Sequence, residues 1–149
     1  AFQTVGTAKV ATSAHEAIEL GFLTPNTRVV MHANRRIFVA KEEVLRLSNE
    51  GYLPPPVRTA IMVMGQEGRA ALESAAFQMR QAGYASEYDQ FLANRLAYIL
   101  CGGDITVPTQ VHEQYLLDLE REVFLELLKE KKTQERIESI ITTNKPLRN

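Results

Sequence analysis

The side chains able to do chemistry gather in the last third of the chain. Glu113, Asp118, Glu120, Glu122 and Glu126 stand close together in sequence, and general acid and base work needs two carboxylates facing one substrate. Here they alternate with Arg121 at helix-surface spacing, which is the pattern of a solvated or interface face. His112-Glu113 raises a metal or base reading. A zinc-binding helix, however, places two His four apart around a Glu, and His15 and His32 do not complete that set. No metal site is expected. Cys101 closes a helix before Gly102-Gly103, whereas an activated thiol needs a helix N-terminus or a basic neighbour, so it reads as a buried structural cysteine. Gly102-Gly103-Asp104 lacks a phosphate-loop pattern and reads as a helix stop. The last candidate is Lys145-Pro146-Leu147-Arg148-Asn149. Its two cations suit phosphate oxygens, and the bland alternative is a frayed, solvated end.

Composition bounds the classes open to these residues. The chain has 149 residues, 45% hydrophobic and 23% charged, with a net charge of −1. That length supports one domain with a core, and the charge balance offers no basic face for nucleic acid. A single cysteine excludes an internal disulfide, and no apolar run reaches the length of a membrane span. Ala1-Phe2-Gln3-Thr4-Val5 carries neither the charged nor the apolar region of a leader and has no initiator Met. We therefore expect a piece cut from a longer, cytoplasmic protein.

The local signals are those of a mainly α chain of about six helices with no substantial sheet. Ser13-Ala14-His15-Glu16 is a capping box, in which Ser13 accepts from the Glu16 amide while the Glu16 carboxylate reaches back to the Ser13 amide. The helix it starts ends at Gly21, before a turn at Pro25-Asn26. Phe2 to Ala11 is apolar enough for another helix, and Arg28 to Met31 is too short for a strand. From Asn34 to Glu50, Ile37, Ala40, Val44 and Leu47 recur at helical spacing, and Gly51 ends the run. Tyr52-Leu53-Pro54-Pro55-Pro56 is an extended connector and the main internal boundary. Gln66 to Gln81 predicts a helix with Leu72, Ala75, Ala76 and Met79 inward. Ser86 with Asp89 caps the next, striped by Tyr88, Leu92, Leu96 and Ile99. The longest helix is expected from Pro108-Thr109, carrying Val111, Tyr115, Leu116, Leu119, Val123 and Leu127. Thr133 caps a last one through Ile137, Ile140 and Ile141, closed by Asn144-Lys145-Pro146.

Four stretches carry a resemblance. Ala8 to Leu23, with its Ser13-Ala14 and Ala17 to Gly21 step, looks like a segment of the crotonase family. Glu113 to Leu125, Lys132 to Ile137 and Lys145 to Asn149 resemble the end of bacterial bifunctional proteins of fatty-acid β-oxidation. Those proteins join a 3-hydroxyacyl-CoA dehydrogenase to a C-terminal enoyl-CoA hydratase (crotonase-like) domain. The likeness runs along essentially the whole chain. It implies a parent that hydrates 2-trans-enoyl-CoA and oxidises 3-hydroxyacyl-CoA with NAD, residues 1–50 ending the crotonase-like core and 51–149 forming a C-terminal helical extension.

The same resemblance implies which groups this chain lacks. The family's oxyanion-hole amides, its catalytic carboxylates and the dehydrogenase's nucleotide-binding glycines match nothing between Ala1 and Asn149. No catalytic residue is expected here, and the chain alone should be inactive. Its role would be to cover the acyl-CoA pocket and to supply packing or assembly surface, with the remainder of the parent and acyl-CoA as partners. Lys145 is the position that resembles the family's basic residue toward the CoA nucleotide. Residues 51 to 109 depart from compact hydratases, which leaves open an altered subunit contact or one with the dehydrogenase half. Apolar surface bared by the cut should favour homo-oligomers. The rival reading is an autonomous helical interaction module, motivated by the long amphipathic helix after Thr109. A self-sufficient hydrolase has no nucleophile signature.

Overall fold

The computed structural model describes all 149 residues, and it is mainly α. Seven α-helices appear where the sequence suggested about six: α1 (Phe2–Gly6), α2 (Ala14–Glu19), α3 (Arg36–Asn49), α4 (Gly65–Gln81), α5 (Glu87–Leu100), α6 (Glu113–Leu127) and α7 (Lys131–Thr143). A 3-10 turn over Ala33–Arg35 leads into α3. The chain divides into two compact units, Ala8–Pro56 and a second built from Ala1–Thr7 with Val57–Asn149. No helix is long and apolar enough to cross a membrane.

In the Ala8–Pro56 unit, local chemistry sets the helix ends. Ser13 Oγ accepts from the Glu16 amide at 3.1 Å, as expected, but the Glu16 carboxylate does not return to Ser13. It accepts instead from the amide and hydroxyl of Thr12, at 2.7 and 2.6 Å, and the Thr12 hydroxyl is what redirects it. These hydrogen bonds hold the Glu16 carboxyl below its usual range. At the other end of α2, the Phe22 amide reaches Ala17 O and the Gly21 amide reaches Ile18 O, which satisfies two free carbonyls. Arg46 is braced between Glu43 and Glu50 on the surface of α3, and Arg28 also reaches Glu43 at 3.0 Å.

That unit contains no buried residue at all. The expected inner face of α3 is the clearest case: Ile37 is 79% exposed and Val44 65%, with Phe38 and Leu45 also exposed. The sequence placed this helix correctly. It could not place a neighbour over the apolar face, and within its own unit none covers it.

The second unit has a core. Val63, Ala76, Tyr88, Ala97, Cys101, Val111, Leu119 and Val123 are buried, drawn from α4, α5, α6 and two short strands. Alanine at position 76 lets α4 and α5 approach closely, as the alanine-rich stripe suggested. The strands β1 (Ile61–Val63) and β2 (Thr109–Val111) pair antiparallel with Ile61 opposite Val111 and Val63 opposite Thr109. This pair corrects the sequence reading, which began the long helix near Pro108-Thr109. Val111 is buried in β2, and α6 begins only at Glu113, with His112 as its cap. Three residues per strand are too few for alternation to announce itself.

The turn after α5 ties these elements together. Gly102 and Gly103 both have positive φ, +87° and +71°. A Cβ on Gly102 would lie 2.7 Å from Val63 Cγ2, and one on Gly103 would lie 3.2 Å from Leu119 Cδ1. The Gly65 amide donates to Cys101 O at 3.1 Å, and the Tyr115 hydroxyl donates to Gly102 O at 2.9 Å. Gly102→Ala therefore meets both a backbone conformation costly for L-residues and a backing side chain. The expected loss is about 2–4 kcal/mol in urea unfolding. Gly83, also at positive φ but with open space around its Cβ position, is the control. Gly83→Ala should cost about 1–2 kcal/mol, and equal losses at the two positions would show that packing against Val63 contributes nothing.

Candidate functional site: the C-terminal loop and its clasp

The residues singled out from sequence end in three situations. Glu113 is half-buried while Asp118, Glu120, Glu122 and Glu126 are exposed around α6, so they form no converging acid and base pair. His112 caps α6, its Nδ1 accepting from the Gln114 amide at 3.1 Å. Cys101 is buried at 3% exposure, and burial pushes its thiol pKa up, which disfavours a thiolate nucleophile. Lys145 lies just past α7 and is exposed, as is Arg148.

Several clefts cut into the Val57–Asn149 unit and the α1 segment that belongs to it, and two of them contrast in character. One, of about 300 Å³, is polar and is lined by Gln66, Arg69, Glu73 and Asp104 among others. Its charges are already engaged: Arg69 Nε donates to Glu73 at 2.8 Å, the guanidinium lies 5.2 Å from the Tyr98 ring, and the Tyr98 hydroxyl faces Asp104 at 3.3 Å. Burial first, and then the Asp104 carboxylate, raises the Tyr98 pKa, so the phenol remains a donor. The other, of about 270 Å³, is apolar, with Phe2, Ala75, Ala76, Met79 and Ala93 in its walls.

The densest polar arrangement lies where α7 and the chain's last residues meet the start of α5. Ser86 and Asp89 form the expected capping box, with Ser86 Oγ accepting from the Asp89 amide at 3.1 Å and Asp89 Oδ2 accepting from the Ser86 amide at 2.9 Å. The free Asp89 oxygen accepts from Arg136 Nη1 at 2.7 Å. Arg136 also donates from Nε to Asn149 Oδ1 at 2.9 Å and from Nη2 to Asn149 O at 3.3 Å. Ser86 Oγ reaches the same carbonyl at 3.3 Å, while Asn149 Nδ2 donates to Glu135 at 2.7 Å and to Lys132 O at 3.4 Å. Tyr88 completes the joint. It is buried, its hydroxyl lies 2.6 Å from that of Thr133, and the charges of Arg136 and Lys132 sit 5.0 and 5.5 Å from its ring.

Thr133 therefore does not cap α7, which begins at Lys131 with Glu130 before it. Its hydroxyl is used across the joint to α5 instead. At the far end, Asn144 adopts the left-handed conformation at φ 54°, closing α7 as expected. Ser139 Oγ then donates to Lys145 O at 3.0 Å, and the Lys145 amide reaches Thr143 Oγ1 at 3.3 Å. The segment between Asn144 and Asn149 is thus a loop held at both ends. Sequence reading singled out Lys145 and did not anticipate the clasp, since nothing in a linear pattern links Asp89 to Arg136.

Among known proteins, the chain is similar to one from Bacillus subtilis (strain 168) named probable 3-hydroxyacyl-CoA dehydrogenase. The two are 40% identical over 148 residues, covering 99% of this chain and 19% of the relative. The chain thus spans about a fifth of the length of that curated relative. No family model matches the chain. No solved structure matches it either.

The joint has a pH signature. Burial raises the Asp89 pKa, but hydrogen bonds from Ser86 and Arg136 outweigh it and leave the carboxyl below its usual value of 3.8. A depressed carboxylate stabilises the fold fully above its unfolded pKa and loses that contribution as pH falls through its folded one. Unfolding midpoints should therefore be level in this respect near neutrality and decline below pH 3.8. Asp89→Asn should be less stable at neutral pH and show a shallower acid decline. An identical acid slope in the two proteins would mean that Asp89 is not part of it.

Proposed function

We propose that this chain is the C-terminal helical segment of a fatty-acid β-oxidation enzyme that oxidises 3-hydroxyacyl-CoA with NAD and hydrates 2-trans-enoyl-CoA. Within that parent it roofs the acyl-CoA pocket and supplies assembly surface. The observation that carries the reading is the uncovered apolar face of α3, in a unit with no buried residue of its own. Burying apolar surface is worth roughly 25 cal/mol per Å², so a helix that shows Ile37, Phe38, Val44 and Leu45 to water is stabilised by a cover. A longer polypeptide provides one. The identity to a fifth of a protein named for the dehydrogenase activity supports the same reading.

In this reading residues 1–50 finish the crotonase-like core and 51–149 extend it. Polarising the thioester carbonyl belongs to the remainder of the parent, where backbone amides oppose the developing enolate charge. Lys145 contributes one cation toward a phosphate of CoA, a charge-assisted contact from an exposed, locally held position. The uncovered faces also suit an autonomous helical interaction module, and Leu117, Phe124 and Leu125 on α6 are exposed as such a module requires.

The isolated chain should neither hydrate crotonyl-CoA nor reduce NAD with a 3-hydroxyacyl-CoA; turnover by it would overturn the proposal. In the intact parent, Lys145→Ala should weaken CoA binding by about 1–2 kcal/mol as one charged hydrogen bond is lost. Calorimetric titration reads this directly, and unchanged affinity removes Lys145 from the site. Deleting residues 8–56 from the parent separates the two readings. Loss of the folded hydratase supports a built-in segment, and full retention of both activities supports the module.

A further inference from the structure

Asn149 is held far more tightly than a loop residue at a surface normally is. Its main-chain oxygen accepts from Ser86 and Arg136, its side-chain carbonyl accepts from Arg136, and its side-chain amide nitrogen donates to Glu135 and to Lys132 O. Arg136 is in turn fixed by Asp89, with side-chain exposures of only 17% and 26%. The clasp therefore draws on the N-terminus of α5 and on two turns of α7. Its other side is the left-handed Asn144 and the Ser139 contact to Lys145 O. Between the two anchors stand Lys145 and Arg148, both exposed, and neither has a carboxylate within 4.0 Å while Arg136 in the clasp does.

We propose that Asn149 is a positioning residue: its clasp orders the 145–148 loop in advance, so that Lys145 and Arg148 together receive a ligand carrying more than one phosphate group. The inference rests on the proposed role of Lys145 and adds Arg148 as a second binding cation. An ordered loop makes this difference because two long cationic side chains on a free tail lose rotamer and backbone freedom when they bind, and that loss lowers affinity. Holding the backbone at both ends removes the larger part of it. Unpaired cations also keep their full charge for an incoming anion, where a neighbouring carboxylate would have neutralised it. Asn149 touches no ligand in this arrangement and acts only through the loop.

The test uses the 149-residue chain with coenzyme A and, separately, inorganic pyrophosphate as probes. Backbone relaxation should show residues 145–148 as ordered as the end of α7, and Asn149→Ala should raise their mobility without changing helix content. The same substitution should weaken binding of both probes about tenfold while leaving its salt dependence intact, because both cations remain. Lys145→Ala and Arg148→Ala should each flatten the salt dependence. Stronger binding of coenzyme A than of pyrophosphate assigns the phosphates to a nucleotide-bearing carrier, and equal binding assigns the site to phosphate groups alone; both support the inference. A loosened loop with unchanged affinity overturns the role of Asn149 and leaves that of Lys145 standing. Failure of an ordered wild-type loop to bind either probe removes Lys145 from any phosphate site and overturns the inference with it.

Discussion

The close approach of backbone and side chains at Gly102-Gly103 is the constraint on which the Val57–Asn149 unit is built. There the end of α5 turns back at positive φ so near to Val63 and Leu119 that no Cβ fits without displacement. The same few residues receive the Gly65 amide at the start of α4 and the Tyr115 hydroxyl from α6. One turn thereby sets the relation of three helices and the strand β1. Cys101 is buried in that junction, which makes it a packing residue whose thiol stays protonated.

With that junction in place, the unit closes around a modest set of buried side chains, several of them small. Ala76 and Ala97 bring α4 and α5 together, and Val123 and Leu119 fit α6 against them. The Ala8–Pro56 unit shows what happens without such a junction. Its α2 is capped by Ser13 and its α3 is braced by surface ion pairs, yet no side chain in the unit is buried. Exposed ion pairs of this kind stabilise little, whereas an apolar helix face gains from being covered. Its physical need for a cover and the match to a fraction of a longer relative converge on the same proposal, a segment that works as part of something larger.

The α5–α7 joint shows how a polar network substitutes for apolar packing. Asp89 serves two ends at once, capping α5 with one oxygen and fixing Arg136 with the other. Arg136 spends its remaining donors on Asn149 and lies over Tyr88. Because these groups share partners, they act as a unit, and a change at one is felt at the others. The loop bearing Lys145 is held by this network at Asn149 and by the local contacts of Ser139 and Thr143 at Lys145.

Much of the local structure was legible from residues alone. The ends of α2, α3, α4 and α5 follow from Ser13, Gly51, Gly83 and the Ser86–Asp89 box, because a cap is a hydrogen bond between residues three or four apart and needs no distant partner. The solvated acidic residues of α6 were likewise readable from helical spacing. What the sequence could not supply is everything that depends on a remote neighbour. β1 and β2 pair across the whole α4–α5 hairpin, and that pairing takes Val111 from the expected helix into a strand. Glu16 turned to Thr12 because a second hydroxyl was within reach, and Thr133 left its expected cap for Tyr88. The clasp on Asn149 joins the start of α5 to α7 and the chain's last residue. Short-range hydrogen bonds are encoded by spacing, whereas long-range ones exist only after the chain has folded and chosen among competing partners, so tertiary structure alone decided which face of α3 stays bare and which loop is held still.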